Sequence, residues 1–194
     1  MTRNNRILIG AGAGLVLALL VAGYLASPVF ALHRLTAAAK AGDRNELERR
    51  VDFPAVRESL KAQMKAAMAR KIAEDSELRD NPFAAFGQML LVGVVDKAVD
   101  AFATPDAIAT MVATNEAPET VSNEPAGRPA PPSPEKVKAK ADNTEIDYAY
   151  QDLDHFRATY VDKRDGERFG LLLERRGVFA WKLVRIDLPD FGKS

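Results

Sequence analysis

The chain has no cysteine and only two histidines, His33 and His155. That rules out a disulfide framework, a thiolate nucleophile or metal centre, a lipidated cysteine and a multi-histidine metal site. Charge of one sign is also missing: 27 Lys+Arg offset 27 Asp+Glu. Without a basic surplus a nucleic-acid partner is not expected. Nor are the short signatures of common catalysts present: there is no G-x-S-x-G, H-E-x-x-H, G-x-x-x-x-G-K or GxGxxG. No cofactor or metal is expected from what remains. A length of 194 residues leaves room for about one ordinary domain, since domains commonly run to roughly 100–200 residues.

Charge is absent in one place above all. From Ile7 to Ala26 the chain reads ILIGAGAGLVLALLVAGYLA, flanked by Arg3 and Arg6 before it and Ser27-Pro28 after it. About 20 such residues suffice for a helix to cross the bilayer core, where every backbone group must bond within the segment. The run predicts a transmembrane anchor ending at Ser27-Pro28, with a basic tail and anchor over 1–27 and a single domain over 28–194. A cleaved signal peptide is the rival reading. The apolar run is longer than the usual h-region and has no clear A-x-A site after it, which favours retention. Tyr24 falls where amphipathic rings prefer the headgroup level. Gly10 and Gly14 make a GxxxG pair, a pattern that lets membrane helices pack closely and so allows self-association.

Beyond Pro28 the apolar spacing is helical. Leu32, Leu35 and Ala39 share a face, Gly42 suits a helix C-terminus, and Asp43 an N-cap. Asp52-Phe53-Pro54 opens a longer helix whose buried stripe is Val56, Leu60, Met64, Met68 and Ile72. Phe83, Phe86, Leu90, Val94, Ala98 and Phe102 trace a further stripe after Asn81-Pro82, widened by Leu91 and Val95. Thr104-Pro105 then reads as an N-cap with proline at the first helical position. Residues 115–143 hold six of the 11 prolines and few large apolar side chains, the composition of a disordered insertion loop. After it the period becomes two. Phe156, Ala158 and Tyr160, then Phe169, Leu171 and Leu173, then Phe179, Trp181 and Leu183 predict three antiparallel strands, with a short fourth around Ile146–Tyr148. Asp165-Gly166 and Gly177 mark the turns, and the phase shift from Leu183 to Val184, Ile186 and Leu188 predicts a bulge. The expected class is α+β, with amphipathic helices packed on a small antiparallel sheet of three or four strands. At fold level the order resembles cystatin-like or nuclear-transport-factor-like cones.

Candidate chemistry is sparse. Asp154 and His155, beside Asp152, form the one pairing suited to general acid–base work, because a carboxylate can orient an imidazole. The competing explanation is a polar turn in which short acidic side chains bond their own backbone. Phe156, Phe179 and Trp181 read as core residues that could also line a small ligand pocket. Lys163, Arg164, Arg168, Arg175 and Arg176 gather around the hairpins, where they solvate turns or meet lipid headgroups.

Several blocks carry a family likeness. Tyr24-Leu-Ala-Ser-Pro28 with Ala31-Leu32 and Leu35, Ala38-Ala39-Lys-Ala-Gly42-Asp43, and Val51-Asp-Phe-Pro-Ala-Val-Arg57-Glu-Ser-Leu60 resemble the bacterial family of domain of unknown function 2939. Leu173-Glu-Arg-Arg-Gly177 and Trp181-Lys-Leu-Val-Arg-Ile-Asp-Leu-Pro189 are similar to its C-terminal pattern. The resemblance implies a small envelope-associated bacterial protein with an N-terminal membrane segment. It supplies no activity, cofactor or catalytic residue. The resulting expectation is a non-enzymatic binding module, single-pass in the bacterial inner membrane, with its body in the periplasm. Its partners would be the lipid bilayer and an envelope protein or a second copy. The alternatives are a small pocket enzyme using the Asp/His pair and an assembly factor acting through the membrane helix.

Overall fold

The computed structural model describes residues 3–74, 93–101, 103–115 and 143–189. Helix α1 runs unbroken over Arg3–Ala41, α2 over Arg44–Arg50 and α3 over Phe53–Glu74. Residues 93–101 are helical and form α4, and α5 covers Pro105–Thr114. Four strands follow, β1 (Thr144–Tyr150), β2 (His155–Asp162), β3 (Arg168–Arg175) and β4 (Trp181–Asp187). They form one antiparallel sheet in the order β1-β2-β3-β4. The α+β expectation holds, and the short fourth strand is a full edge strand. The proline-rich stretch, apart from its ends, lies outside the described residues. So do Phe83, Phe86, Leu90, Leu91 and Phe102.

Local chemistry explains the helix borders. Gly42 takes φ 65°, so its N–H reaches the Ala39 carbonyl while the Asp43 N–H reaches that of Ala38. This paired closure satisfies carbonyls that a helix end otherwise leaves bare. The Asp43 carboxylate then accepts from the Glu46 N–H to start α2, and the Thr104 hydroxyl accepts from the Ala107 N–H to start α5. Gly166 supplies the positive φ (75°) of the β2–β3 turn.

The helices cover one face of the sheet. Phe156, Ala158 and Tyr160 of β2, Phe169, Leu171 and Leu173 of β3, and Trp181, Leu183 and Ile186 of β4 point into a core shared with Leu32, Leu35, Leu47, Val56, Leu60 and Val112. The opposite face carries Arg157, Thr159, Glu174, Lys182 and Asp187, as the period of two requires. In β4, Val184 is the extra residue of a bulge between the Leu173–Leu183 and Leu172–Arg185 pairs, which is where the apolar phase shifts. Gln63 of α3 mimics backbone at the end of β4, donating to the Ile186 carbonyl at 2.7 Å and accepting from the Leu188 N–H at 3.0 Å.

Three local expectations are corrected. Helix α1 does not end at Ser27-Pro28 but continues to Ala41, with Pro28 inside it. In α4 Val95 is buried as the widened stripe requires, together with Val99, whereas Val94 is exposed. Here Lys61 reaches Asp100 and Lys65 reaches Asp96, which fixes how α4 faces α3. Finally, Phe179 is exposed in the β3–β4 turn rather than buried in the core.

Candidate functional site

The distinctive region is the place where α1 enters the body. From Leu15 to Leu25 the large apolar side chains of α1 are exposed on every side. From Ser27 onward one face of the same helix is embedded: Ser27, Pro28, Ala31, Leu32 and Leu35 are buried, while Phe30, His33 and Arg34 stay exposed. By length and composition Gly12–Ala41 is long and apolar enough to cross a membrane. An apolar circumference is what lipid, or a cleaved leader, calls for.

Pro28 lacks the N–H that would have bonded the Tyr24 carbonyl, and proline inside a helix leaves that acceptor unpaired. The Ser27 hydroxyl donates to it at 2.7 Å, while the Trp181 indole N–H donates to the same hydroxyl oxygen at 2.9 Å. The neighbouring Leu25 carbonyl accepts from the Tyr150 hydroxyl at 2.8 Å. Thus Ser27 satisfies the carbonyl that the proline leaves bare, and the first residue of β4 and the last of β1 bond to Ser27 and Leu25 in the same turn. Burial raises the Tyr150 hydroxyl's pKa, so the group stays protonated and able to donate.

Arg175, the last residue of β3, completes the junction. Its guanidinium lies 3.8 Å from the Tyr24 ring centre and 4.2 Å from that of Trp181. Its Nε donates to the Leu153 carbonyl at 3.0 Å and its Nη1 to the Val178 carbonyl at 2.7 Å. Tyr150, Phe156 and Trp181 meet edge to face around it. One cation therefore ties the helix to both adjacent hairpins.

The acid–base candidates are close by but arranged differently from the sequence expectation. The His155 ring nitrogen Nδ1 faces Asp152, at 2.8 Å from Oδ2, not Asp154. The Asp152 carboxylate also accepts from the backbone N–H groups of Asp154 and His155. These bonds, that of Asp154 first, hold its pKa below the ordinary 3.8. Asp154 faces Arg175 Nε at 3.5 Å. With His155 38% and Asp152 58% exposed, the geometry is that of a self-bonded turn at the surface. Phe156 and Trp181 are core residues, whereas Phe179 is exposed. Gly10 and Gly14 both lie in α1, and nothing lies within 4 Å of where a Gly14 side chain would be.

The five basic residues separate. Lys163, Arg164 and Arg168 sit at one end of the sheet and Arg175 and Arg176 at the other, because consecutive turns of an antiparallel meander alternate ends. A surface cavity of ≈ 280 Å³ lies between α3 and β4, lined by Gln63, Ala66, Arg70, Arg185, Asp187 and Leu188 among others. None of the acid–base candidates touches it. No group of three or more His, Cys, Asp or Glu able to hold a metal occurs among the described residues. From the sequence, Ser27 is named only as the end of the apolar run and Arg175 only among the hairpin charges, and neither is given a role at this junction. Serine preceding a proline inside an apolar helix was a usable signal for the first. Nothing local marks the second.

Neither the curated proteins nor the solved structures contain a match to the chain. A family profile described as "Protein of unknown function (DUF2939)" matches residues 17–111, the stretch from the free part of α1 to α5. The blocks between Tyr24 and Leu60 fall inside that match and the C-terminal blocks fall beyond it. Over residues 17–111, just under half of its length, the chain therefore matches the DUF2939 family of proteins of unknown function.

Proposed function

We propose that the protein is a single-pass, membrane-anchored binding module of the bacterial envelope, whose body stands in the periplasm and presents the sheet edge to a partner protein. The observation that carries this reading is the double life of α1, lipid-like before Tyr24 and part of the core after Ser27. It also favours a retained anchor over a cleaved leader. Cleavage near Ala26 would place a new charged amine at buried Ser27, beside Trp181 and Arg175, and a buried charge without a partner is strongly disfavoured. The partner surface is supported by β1, where Ile146, Tyr148 and Tyr150 share the helix-side face of an edge strand yet remain exposed. Aromatic side chains with polar tips favour protein interfaces.

The test combines extraction with photo-crosslinking in native membranes. The full chain is expected to resist alkaline carbonate and to keep its N-terminal residues by mass. A photoreactive residue replacing Tyr148 is expected to give a discrete adduct, and one replacing Lys182 on the opposite sheet face none. Release by carbonate, or a mature chain starting after residue 26, would overturn the anchor. Equal, diffuse labelling from both positions would overturn the binding surface.

A further inference from the structure

We propose that the two hairpin tips beside α1, Leu153 in one and Val178-Phe179 in the other, enter the headgroup–acyl boundary of the bilayer that α1 crosses. The body is then seated on the lipid surface at three points instead of hanging from one stalk. This inference rests on α1 being a membrane span, and the experiment below separates the two.

Position is the first argument. The β1–β2 and β3–β4 turns lie at the end of the sheet that holds Tyr150, His155 and Trp181, and Arg175 bonds the carbonyls of both tips while stacking on Tyr24. Both tips are therefore tied to the level of Tyr24. At 1.5 Å per residue the uncharged run 7–26 covers about 30 Å, the thickness of the hydrocarbon core, which brings Tyr24 to its boundary. Tyr and Trp favour that depth.

Composition is the second. Leu153 is 69%, Val178 64% and Phe179 54% exposed, although each is large and apolar. Their charged neighbours stay at the surface but are each paired: Asp152 with its own turn and His155, Asp154 with Arg175, and Arg176 with Asp52 at 3.0 Å and Glu174 at 3.1 Å. The large apolar side chains at the tips have no such cover. The turn at the far end of the sheet, 163–166, reads Lys-Arg-Asp-Gly and offers no large apolar side chain. Such asymmetry between two ends of one sheet matches a body with lipid on one side and water on the other. Leu153, Val178 and Phe179 would enter by apolar burial, which uncharged phospholipid provides without anionic headgroups.

The absence of native cysteine makes the test direct. Leu153→Cys, Phe179→Cys, Asp165→Cys and Leu17→Cys, each in the full-length chain, carry an environment-sensitive fluorophore in phosphatidylcholine vesicles. The expected result is a blue shift at 153 and 179, several-fold weaker quenching by iodide than at 165, and quenching by a nitroxide on the lipid. Position 17 is shielded from iodide in the same way. If 17 is shielded while 153 and 179 are as open to iodide as 165, the seating is overturned and the span stands. If 17 is itself open to iodide, the span is overturned and the seating with it.

Discussion

Arg175 keeps only 7% of its side chain in contact with solvent, between two aromatic rings and beneath two backbone carbonyls. A guanidinium tolerates such a site because it is planar and weakly hydrated, stacking on rings while its edge donates hydrogen bonds. Lysine would offer a point charge with neither the plane nor the fork. Asp152 has the opposite setting, exposed and fixed by its own turn. Its folded-state pKa is lowered by the Asp154 N–H first and then by the His155 ring. A lowered carboxyl pKa stabilises the turn above the ordinary 3.8 and loses that contribution as pH falls through the folded value. On acidification through and below the ordinary carboxyl range the amide resonances of Asp154 and His155 should therefore shift together and their hydrogen exchange should accelerate, while core amides such as Leu171 stay protected. Asn at 152 should remove most of this pH response.

At the scale of elements, the proline in α1 is the informative feature. A helix interrupted by proline usually kinks or stops, and here Ser27 of the helix itself bonds the freed carbonyl while Tyr150 and Trp181 of the sheet brace the same turn. Ser27→Ala removes the hydroxyl that serves both Trp181 and the Tyr24 carbonyl. A buried donor left unsatisfied is worth about 1–3 kcal/mol, so the denaturation midpoint of the full chain in detergent should fall accordingly, with Trp181 fluorescence as the probe. Much of the element order was readable in the residues. Gly42-Asp43 and Thr104-Pro105 carry cap chemistry that acts within a few residues, and the period of two in β2 and β3 reports a half-buried sheet whatever lies above it. The continuation of α1 through Pro28 was not readable, since the groups that sustain it come from Tyr150 and Trp181. In α4 the apolar spacing places Val95 correctly but not Val94, whose exposure accompanies ion pairs of Lys61 and Lys65 to Asp100 and Asp96. The Asp154–His155 pairing failed for a local reason: Asp152, three residues before His155, closes the turn first.

For the molecule as a whole, α1 belongs to two environments and its halves should be separable by experiment. A chain beginning at Tyr24 retains Ser27, Leu32 and Leu35 and is expected to fold, with native circular dichroism and resistance to limited proteolysis. A chain beginning at Gly42 lacks the helix that covers α5 and the sheet. Losing one buried leucine typically removes about 2–5 kcal/mol, and Leu32 and Leu35 go together, so that shorter chain should be protease-sensitive throughout. The sequence distance between the partners also sets an order of events during synthesis. Ser27 leaves the ribosome well before Trp181, to which it bonds and which lies 154 positions later. Ser27, Leu32 and Leu35 must wait without their final neighbours until that stretch is made, so the body closes only when β4 arrives.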